Sequence, residues 1–416
     1  MSEIKSLCSR ACVSAAVMWA GSRNRETPGK WLVCSAPVPE RNRGDQALLR
    51  VVVDALERSP TQVTGTVLAT SNQAFEAIQA NERIHIRTDF YPLFLTQRCF
   101  REAMRFPRLA MAHDDLLMIG ADVLDEGYSV ARSSASLRVL EIAQHLGLRT
   151  RILGFSVNGP PSEGLRDRLH RLGGKTRLFA RDPESFRRLH DAGVQGVEQA
   201  GDLAFLLDPA DFDKVPEKLM KFATTNRDKL VGLNLTEVVL REFGREEERL
   251  EVVAGACRVL AAKDGYRFVL LPHDEPEGVE YMRRFQHRLE RNGAGISCLV
   301  DPLPHCRVLK RVAGLCRHVF TCRLHLGIAT LGMGRPMTGF PYQGKFEGQF
   351  ELFGMDRDGL IDADRFPTSI DEMVSLMRHR IAQSDSIAEK IEKRLPQVRE
   401  LSRRNFDGLQ LNGTGT

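Results

Sequence analysis

The feature that most constrains this chain is an alternation of short apolar runs with stretches of helical periodicity. Residues 30–36 (K-W-L-V-C-S-A) are the first such run, and residues 45–58 form an amphipathic helix after it, with Asp45 placed as its N-cap. Strands are then expected over residues 62–69, 83–87, 115–120, 151–156 and 175–180, and helices over 71–80, 92–105 and 133–146 and after Asp182-Pro183. The pattern breaks over residues 208–225, where Pro209 and Pro216 stand among charged residues, and this reads as a linker. It then restarts, with strands over 230–235, 267–272, 296–300, 319–322 and 337–340 and helices over 245–262, 281–291, 308–315 and 326–331. Two charged helices, 370–382 and 387–403, close the chain. Alternation of this kind dictates mainly parallel sheets covered on both faces.

A length of 416 residues exceeds one ordinary core, so two domains are expected. The fold class is α/β: two tandem Rossmann-like parallel-sheet domains, GT-B-like, with a cleft between them. Residues 1–215 form the N-terminal domain, with 1–29 a peripheral helical segment, residues 216–385 the C-terminal domain, and residues 386–416 a C-terminal helix and frayed tail. The apolar stretch 11–20 follows Lys5 and Arg10 as in a signal peptide, but it is short and Glu3 lies in the would-be basic region, which favours the peripheral helix.

Hydrophobic residues make up 42% of the chain and charged ones 27%, as in soluble globular proteins. The net charge of +5 comes from 59 basic and 54 acidic side chains, a mild bias that suits small anionic substrates and not nucleic acid. Nine cysteines without a C-x-x-C pair or zinc spacing point to reduced thiols in the cytoplasm. There is no apolar run of membrane-spanning length, no G-x-G-x-x-G and no P-loop. Cys306 beside His305 and Cys322 near His325 do not form convincing dyads, because adjacent strand residues face opposite ways.

Residues 319–345 read as strand, helix, strand, with Arg323-Leu324-His325 at the first strand end and Lys345 in the loop beyond the second. Ligands of open α/β sheets bind outside the carboxyl ends of strands. Two cations and an imidazole there suit a small anion and a proton transfer. The alternative is a surface Arg and Lys with a helix-capping His. Three further segments fall at strand ends: Arg43-Gly44-Asp45-Gln46-Ala47, where Gly44 allows close approach to a helix N-terminus; Gly120 to Asp125; and Arg181-Asp182-Pro183-Glu184-Ser185.

In this order the four segments resemble the polysaccharide pyruvyl transferase family. That family has G-D-x-A before its first helix, a glycine-rich strand end followed by an Asp, R-D-x-x-S, and R-L-H followed by G-x-P, a tyrosine and a lysine. Here these are Gly44-Asp45-Gln46-Ala47, Gly120 to Asp125, Arg181 to Ser185, Arg323-Leu324-His325, and Gly334-Arg335-Pro336 with Tyr342 and Lys345. The chain departs from the family where Ala121-Asp122 replaces a glycine run, where Glu40-Arg41-Asn42-Arg43 replaces G-N-x, and where Ser156-Val157-Asn158-Gly159-Pro160 replaces a Ser-Ile-Gly-Pro segment.

The resemblance implies transfer of a pyruvyl group from phosphoenolpyruvate to two hydroxyls of a sugar, as in exopolysaccharide biosynthesis. The acceptor, nucleotide- or lipid-linked, would sit on the N-terminal domain and phosphoenolpyruvate on the C-terminal one. No metal or redox cofactor is expected. The protein would work in the cytoplasm or at the inner membrane surface, with no integral membrane segment. Arg181, Arg323 and Lys345 would supply cations for the donor's carboxylate and phosphate. His325 is the first candidate for proton transfer and Asp45 the second, as base or acceptor-binding carboxylate. Ser156 and Asn158 would donate to substrate, and Gly44 and Gly120 would let it approach the backbone. Asp182 reads as the cap of the following helix, and Asp122 and Asp125 as turn residues. Two rival classes share the fold: a glycosyltransferase using a nucleotide sugar, with Glu347 or Glu351 on the ribose, and a non-catalytic relative.

Overall fold

The computed structural model describes residues 29–34, 39–60, 63–69, 82–87, 106–122, 124–127, 129–291, 295–341 and 344–409. The helices expected over 71–80 and 92–105, nearly all of segment 1–29, and Tyr342 lie outside the described residues. Two compact units emerge: Met1–Glu40, Leu48–Leu203 and Leu401–Thr416 form the first, and Arg41–Ala47 and Ala204–Glu400 the second.

The first unit is built on seven strands: β1 (Lys30–Cys34), β2 (Thr64–Leu68), β3 (Ile84–Arg87), β4 (Asp115–Ala121), β5 (Arg149–Phe155), β6 (Thr176–Ala180) and β7 (Val197–Gln199). Their order is β3-β2-β1-β4-β5-β6-β7, and every neighbouring pair is parallel. β4 is buried along its whole length, which is why its sequence is a continuous apolar run with no alternation. Leu116, Met118 and Ile152 of the sheet pack in one core with Leu137 and Leu140 of the helix Val130–His145 and Leu165 and Leu169 of the helix Glu163–Leu172.

The second unit repeats the plan with β8 (Leu230–Asn234), β9 (Arg267–Leu270), β10 (Ser297–Leu299), β11 (His318–Thr321) and β12 (Met337–Gly339). The order is β10-β9-β8-β11-β12, again all parallel. Val231, Phe268 and Phe320 share a core with Leu250, Val253 and Cys257 of the helix Glu246–Asp264 and Met373 and Met377 of the helix Ile370–Ala382. Strand order reverses between β1 and β4 in the first unit and between β8 and β11 in the second, so each unit has one switch point where ligands of such sheets bind. These are two parallel-sheet α/β domains, as the alternation predicts.

The boundaries differ from the expected ones. The units part between Leu203 and Ala204, ahead of Pro209 and not at residue 215. Lys310, fully buried in the helix Cys306–Leu315, donates to the carbonyls of Ala204 (3.1 Å) and Phe205 (3.5 Å), which ties this stretch to the second unit. Within the expected linker, Glu217–Thr225 is a helix with Pro216 as its N-cap, a place where proline's missing N–H costs nothing. The segment 386–416 is not a separate piece either. Leu401–Thr416 belongs to the first unit, where Asn405 accepts from Gly154 N (2.8 Å) and donates to Gly201 O (3.0 Å).

Candidate functional site

The carboxyl edge of the second sheet gathers the charged groups. β9 ends in Leu271-Pro272-His273-Asp274-Glu275, and β11 runs through Cys322 into the helix Leu324–Leu331, whose N-cap is Arg323. Arg323 N donates to Thr321 Oγ1 (2.9 Å), and Thr321 Oγ1 donates to Asn234 Oδ1 (3.2 Å) on β8, so the switch point itself fixes this turn. The Arg323 guanidinium lies over the Asp274 carboxylate, with Nη2 at 3.0 and 2.9 Å from its two oxygens. Its Nε is buried and makes no hydrogen bond.

The segment Arg41–Ala47 is stitched to the same edge. Asn42 and Asp274 form an antiparallel bridge, with Arg43 N donating to His273 O and Glu275 N to Arg41 O, each at 3.0 Å. The buried Arg43 guanidinium donates to Pro304 O (2.6 Å), Leu303 O (2.8 Å) and Glu275 (3.1 Å). Gln46 accepts from Cys306 N (2.7 Å), which caps the helix Cys306–Leu315 from outside. Asn42 accepts from Gly44 N (2.8 Å) and Asp45 N (3.2 Å). The cap of the helix Arg43–Arg58 is therefore Asn42 and not Asp45. Asp45 lies in the first helical turn, half-buried. Gly44 packs directly on the His325 ring: a β-carbon there would fall 2.7 Å from His325 Cγ and closer still to Nδ1.

Two groups in this edge carry no signal among the four segments. His273 is buried, and its Nδ1 has no hydrogen-bond partner. Burial first, then the charges of Arg323, His325 and Arg43, holds its imidazole well below the ordinary value, so it is neutral. Lys310 is the second. Arg43, His273, Lys310 and His325, with Leu207 and Leu309, line one cavity of about 10 Å3, room for a single water. His273 follows the same strand-end logic as His325, and a search for titratable residues after β9 would have found it. Lys345 is buried in the loop after β12 and follows Gly344, which holds a left-handed φ of +61°. Cys322 is no nucleophile, because burial pushes its thiol up to about 12.

The remaining candidates lie in the first unit. Arg181 is 1% exposed and donates to Asp202 (3.1 Å) and Ser156 Oγ (2.8 Å). Burial disfavours its charge, but the carboxylates of Asp202, Asp122 and Asp182 outweigh this and hold its pKa above the ordinary value. Both terminal nitrogens of Arg181 are thus engaged within its own unit, while its buried Nε makes no hydrogen bond among the described residues. Asp182 is the N-cap of Pro183–Asp191, accepting from Ser185 N (2.7 Å) and Oγ (2.9 Å). Asn158 donates to Asp125, and Gly120 leaves no room for a side chain, since a β-carbon would fall 2.9 Å from Ile152 Cγ2. Ala121, which stands where the resembling family has glycine, holds a φ of +45°.

Among the described residues no helix is long and apolar enough to cross a membrane. In fold the chain is similar to solved nucleotide-sugar enzymes. A putative UDP-N-acetylglucosamine 2-epimerase from Listeria monocytogenes superposes with a TM-score of 0.60 at 14% identity, over 92% of this chain and 97% of that one. The UDP-GlcNAc 2-epimerase of Neisseria meningitidis bound to UDP-GlcNAc gives 0.57 at 12% identity, over 90% and 98%. An Anabaena protein in complex with UDP and glucose gives 0.55 at 12%, over 91% and 98%. At such identities the likeness is one of fold alone. No curated protein matches the chain by sequence. The model of one family, polysaccharide pyruvyl transferase, spans residues 42–344, from the cap of the helix Arg43–Arg58 to the glycine before Lys345. That span takes in the Gly44–His325 contact and the Arg323 turn, and the chain belongs to the polysaccharide pyruvyl transferase family.

Proposed function

We propose that the protein transfers the pyruvyl group of phosphoenolpyruvate to two hydroxyls of a sugar, forming a ketal on a polysaccharide or its precursor. One observation carries this reading. An imidazole, His325, is pinned against a glycine of the family's first motif, next to an arginine whose guanidinium is held, among the described residues, by Asp274 and has a buried, unbonded Nε. A carboxylate or phosphate can take the place of the Asp274 contact and meet Arg323 with two parallel bonds. Lys345 is the second proposed cation, buried at the end of the neighbouring strand. Asp45, one residue beyond Gly44, is the proposed acceptor-side carboxylate.

The chemistry assigns His325 the proton that goes to the methylene carbon. Protonation makes the central carbon electrophilic. One hydroxyl adds there, and the second displaces phosphate. Two hydroxyl protons are released: one restores His325 and the other leaves with phosphate. The balance needs no electron acceptor. Ser156 and Asn158, ordered by Arg181 and Asp125, are proposed to face the acceptor, with Gly120 keeping the strand end close to its neighbour.

The test is incubation with phosphoenolpyruvate and a panel of free, nucleotide-linked and lipid-linked sugars. The expected result is release of one phosphate and a mass gain of one pyruvyl ketal per acceptor. Stabilisation by UDP-GlcNAc and not by phosphoenolpyruvate, with no ketal formed, would instead favour a nucleotide-sugar enzyme.

A further inference from the structure

His273 is a buried imidazole that the scheme above does not use. It shares its cavity with His325, lies in the field of Arg323, His325 and Arg43, and keeps Nδ1 buried without a hydrogen bond. A buried polar atom without a partner costs free energy, so its retention calls for a role. Its position is fixed from two sides. Its carbonyl accepts from Arg43 N, and the next residue, Asp274, holds Arg323.

We propose that His273 is the positioning residue for His325: a neutral imidazole that accepts from the His325 ring, through the one water the cavity can hold, and so keeps the proton of the pair on His325. Two imidazoles set among cations cannot both be charged, and the drier of the two stays neutral. His273 is the drier, at 4% exposed, whereas His325 is half-buried. Among the described residues, the charged groups around the pair are Arg43 from the helix Arg43–Arg58, Lys310 from the helix Cys306–Leu315, Arg323 at the start of His325's own helix, and Asp274 and Glu275 on His273's own loop. The cations work against a second proton, and the carboxylates are both engaged, Asp274 by Arg323 and Glu275 by Arg43. An acceptor for the His325 proton must therefore be uncharged, and His273 is.

The proposal rests on the pyruvyl reading only for its kinetic arm. The direct measurement is the titration of His325, followed by 15N NMR in the full-length protein and assigned with His325→Asn. In His273→Leu the midpoint should fall by about 0.5 unit or more, because an acceptor for the charged ring is lost. His273→Asn, which places an amide near the Nδ1 position, should restore most of the shift. In the kinetic arm His273→Leu should lower kcat about tenfold or more and move the alkaline limb of the pH profile to lower pH, because His325 must be protonated to act, with the KM for phosphoenolpyruvate changed by less than about threefold. An unchanged His325 midpoint in His273→Leu overturns the proposal, as does an equal loss in His273→Asn, which would assign His273 to packing. Should His273→Leu fail to fold, His273→Asn against His273→Gln makes the same comparison, since the two amides sit at different ring positions. A wild-type protein that forms no ketal rejects the pyruvyl reading and leaves the NMR midpoint to decide this one.

Discussion

Gly44 and His325 are 281 positions apart in sequence and in contact in the fold; a β-carbon on Gly44 would lie 2.7 Å from the imidazole Cγ. Gly44 is the second residue of a helix, where alanine would ordinarily be preferred by about 1 kcal/mol. Glycine is kept there for space. Gly44→Ala should therefore leave the melting temperature nearly unchanged while rotating His325 off its position. Displacements of this size cost on the order of a hundredfold in rate. Steady-state kinetics with phosphoenolpyruvate beside a thermal melt check the separation; activity within twofold of wild type would mean the ring position does not matter.

Arg323 meets both oxygens of Asp274 through one nitrogen, a geometry that a bidentate anion can improve on. Arg323→Lys keeps the charge and loses the fork. The expected outcome is a rise in the KM for phosphoenolpyruvate of about tenfold or more, with the acceptor KM unchanged. Arg323→Ala should do the same more strongly. Equal changes in both KM values would move Arg323 out of the donor site.

The alternation of apolar runs and helices made both sheets legible, because parallel strands buried on both faces leave an unmistakable mark, as in residues 115–121 and 230–234. Short elements left less. β7 has three half-buried residues, and the helix Glu237–Glu242 spans barely two turns. Asp45 was the natural N-cap by spacing alone, but the loop before the helix closes three residues earlier on Asn42, whose side chain reaches two backbone N–H groups. The strand-end rule found Arg323 and His325. His273 directly follows the strand expected over 267–272, but none of the four segments includes it. Arg181 carried a motif, but whether a strand-end arginine faces ligand or core depends on where carboxylates such as Asp202 lie, and sequence does not place them.

Ala121 is a non-glycine residue at φ +45°. A β-carbon in the left-handed region clashes with its own backbone, at a cost of about 1–2 kcal/mol. Part of that is returned by the unfolded chain, which glycine makes freer. Ala121→Gly should stabilise the first unit by about 1 kcal/mol, read as a higher denaturant midpoint at constant slope. A lower midpoint would show that the alanine methyl packs well enough to offset its backbone.

Arg181 is held by Asp202 in a pair that is 1% and 0% exposed, with Asp182 and Asp122 nearby. Removing one partner of such a pair leaves a buried charge without compensation, at a cost of about 3–5 kcal/mol. Arg181→Met should lower the stability of the first unit by that order, as seen in denaturant unfolding. Arg181→Met combined with Asp202→Leu should recover much of the loss. A single variant of wild-type stability that had lost only its affinity for phosphoenolpyruvate would return Arg181 to the donor site.

His318 supplies a pH-dependent contribution of known sign. It is fully buried in β11, with Nδ1 3.1 Å from Ser384 Oγ and Nε2 2.9 Å from Thr338 Oγ1. Burial, with Arg380 and Arg317 adding to it, lowers its pKa from 6.5 to about 3. The unfolded chain therefore binds a proton at this residue that the folded chain refuses. Stability contributed by the neutral ring is fully present above pH 6.5 and is lost as pH falls from there towards about 3. The slope is about 1.4 kcal/mol per pH unit for one proton. Denaturant unfolding of the second unit between pH 6 and pH 4 should show that slope, reduced by one proton equivalent in His318→Asn, which can still bond one of the two hydroxyls. If the variant kept the wild-type slope, the acid sensitivity would lie with other groups and the imidazole at this position would be charged in the folded state.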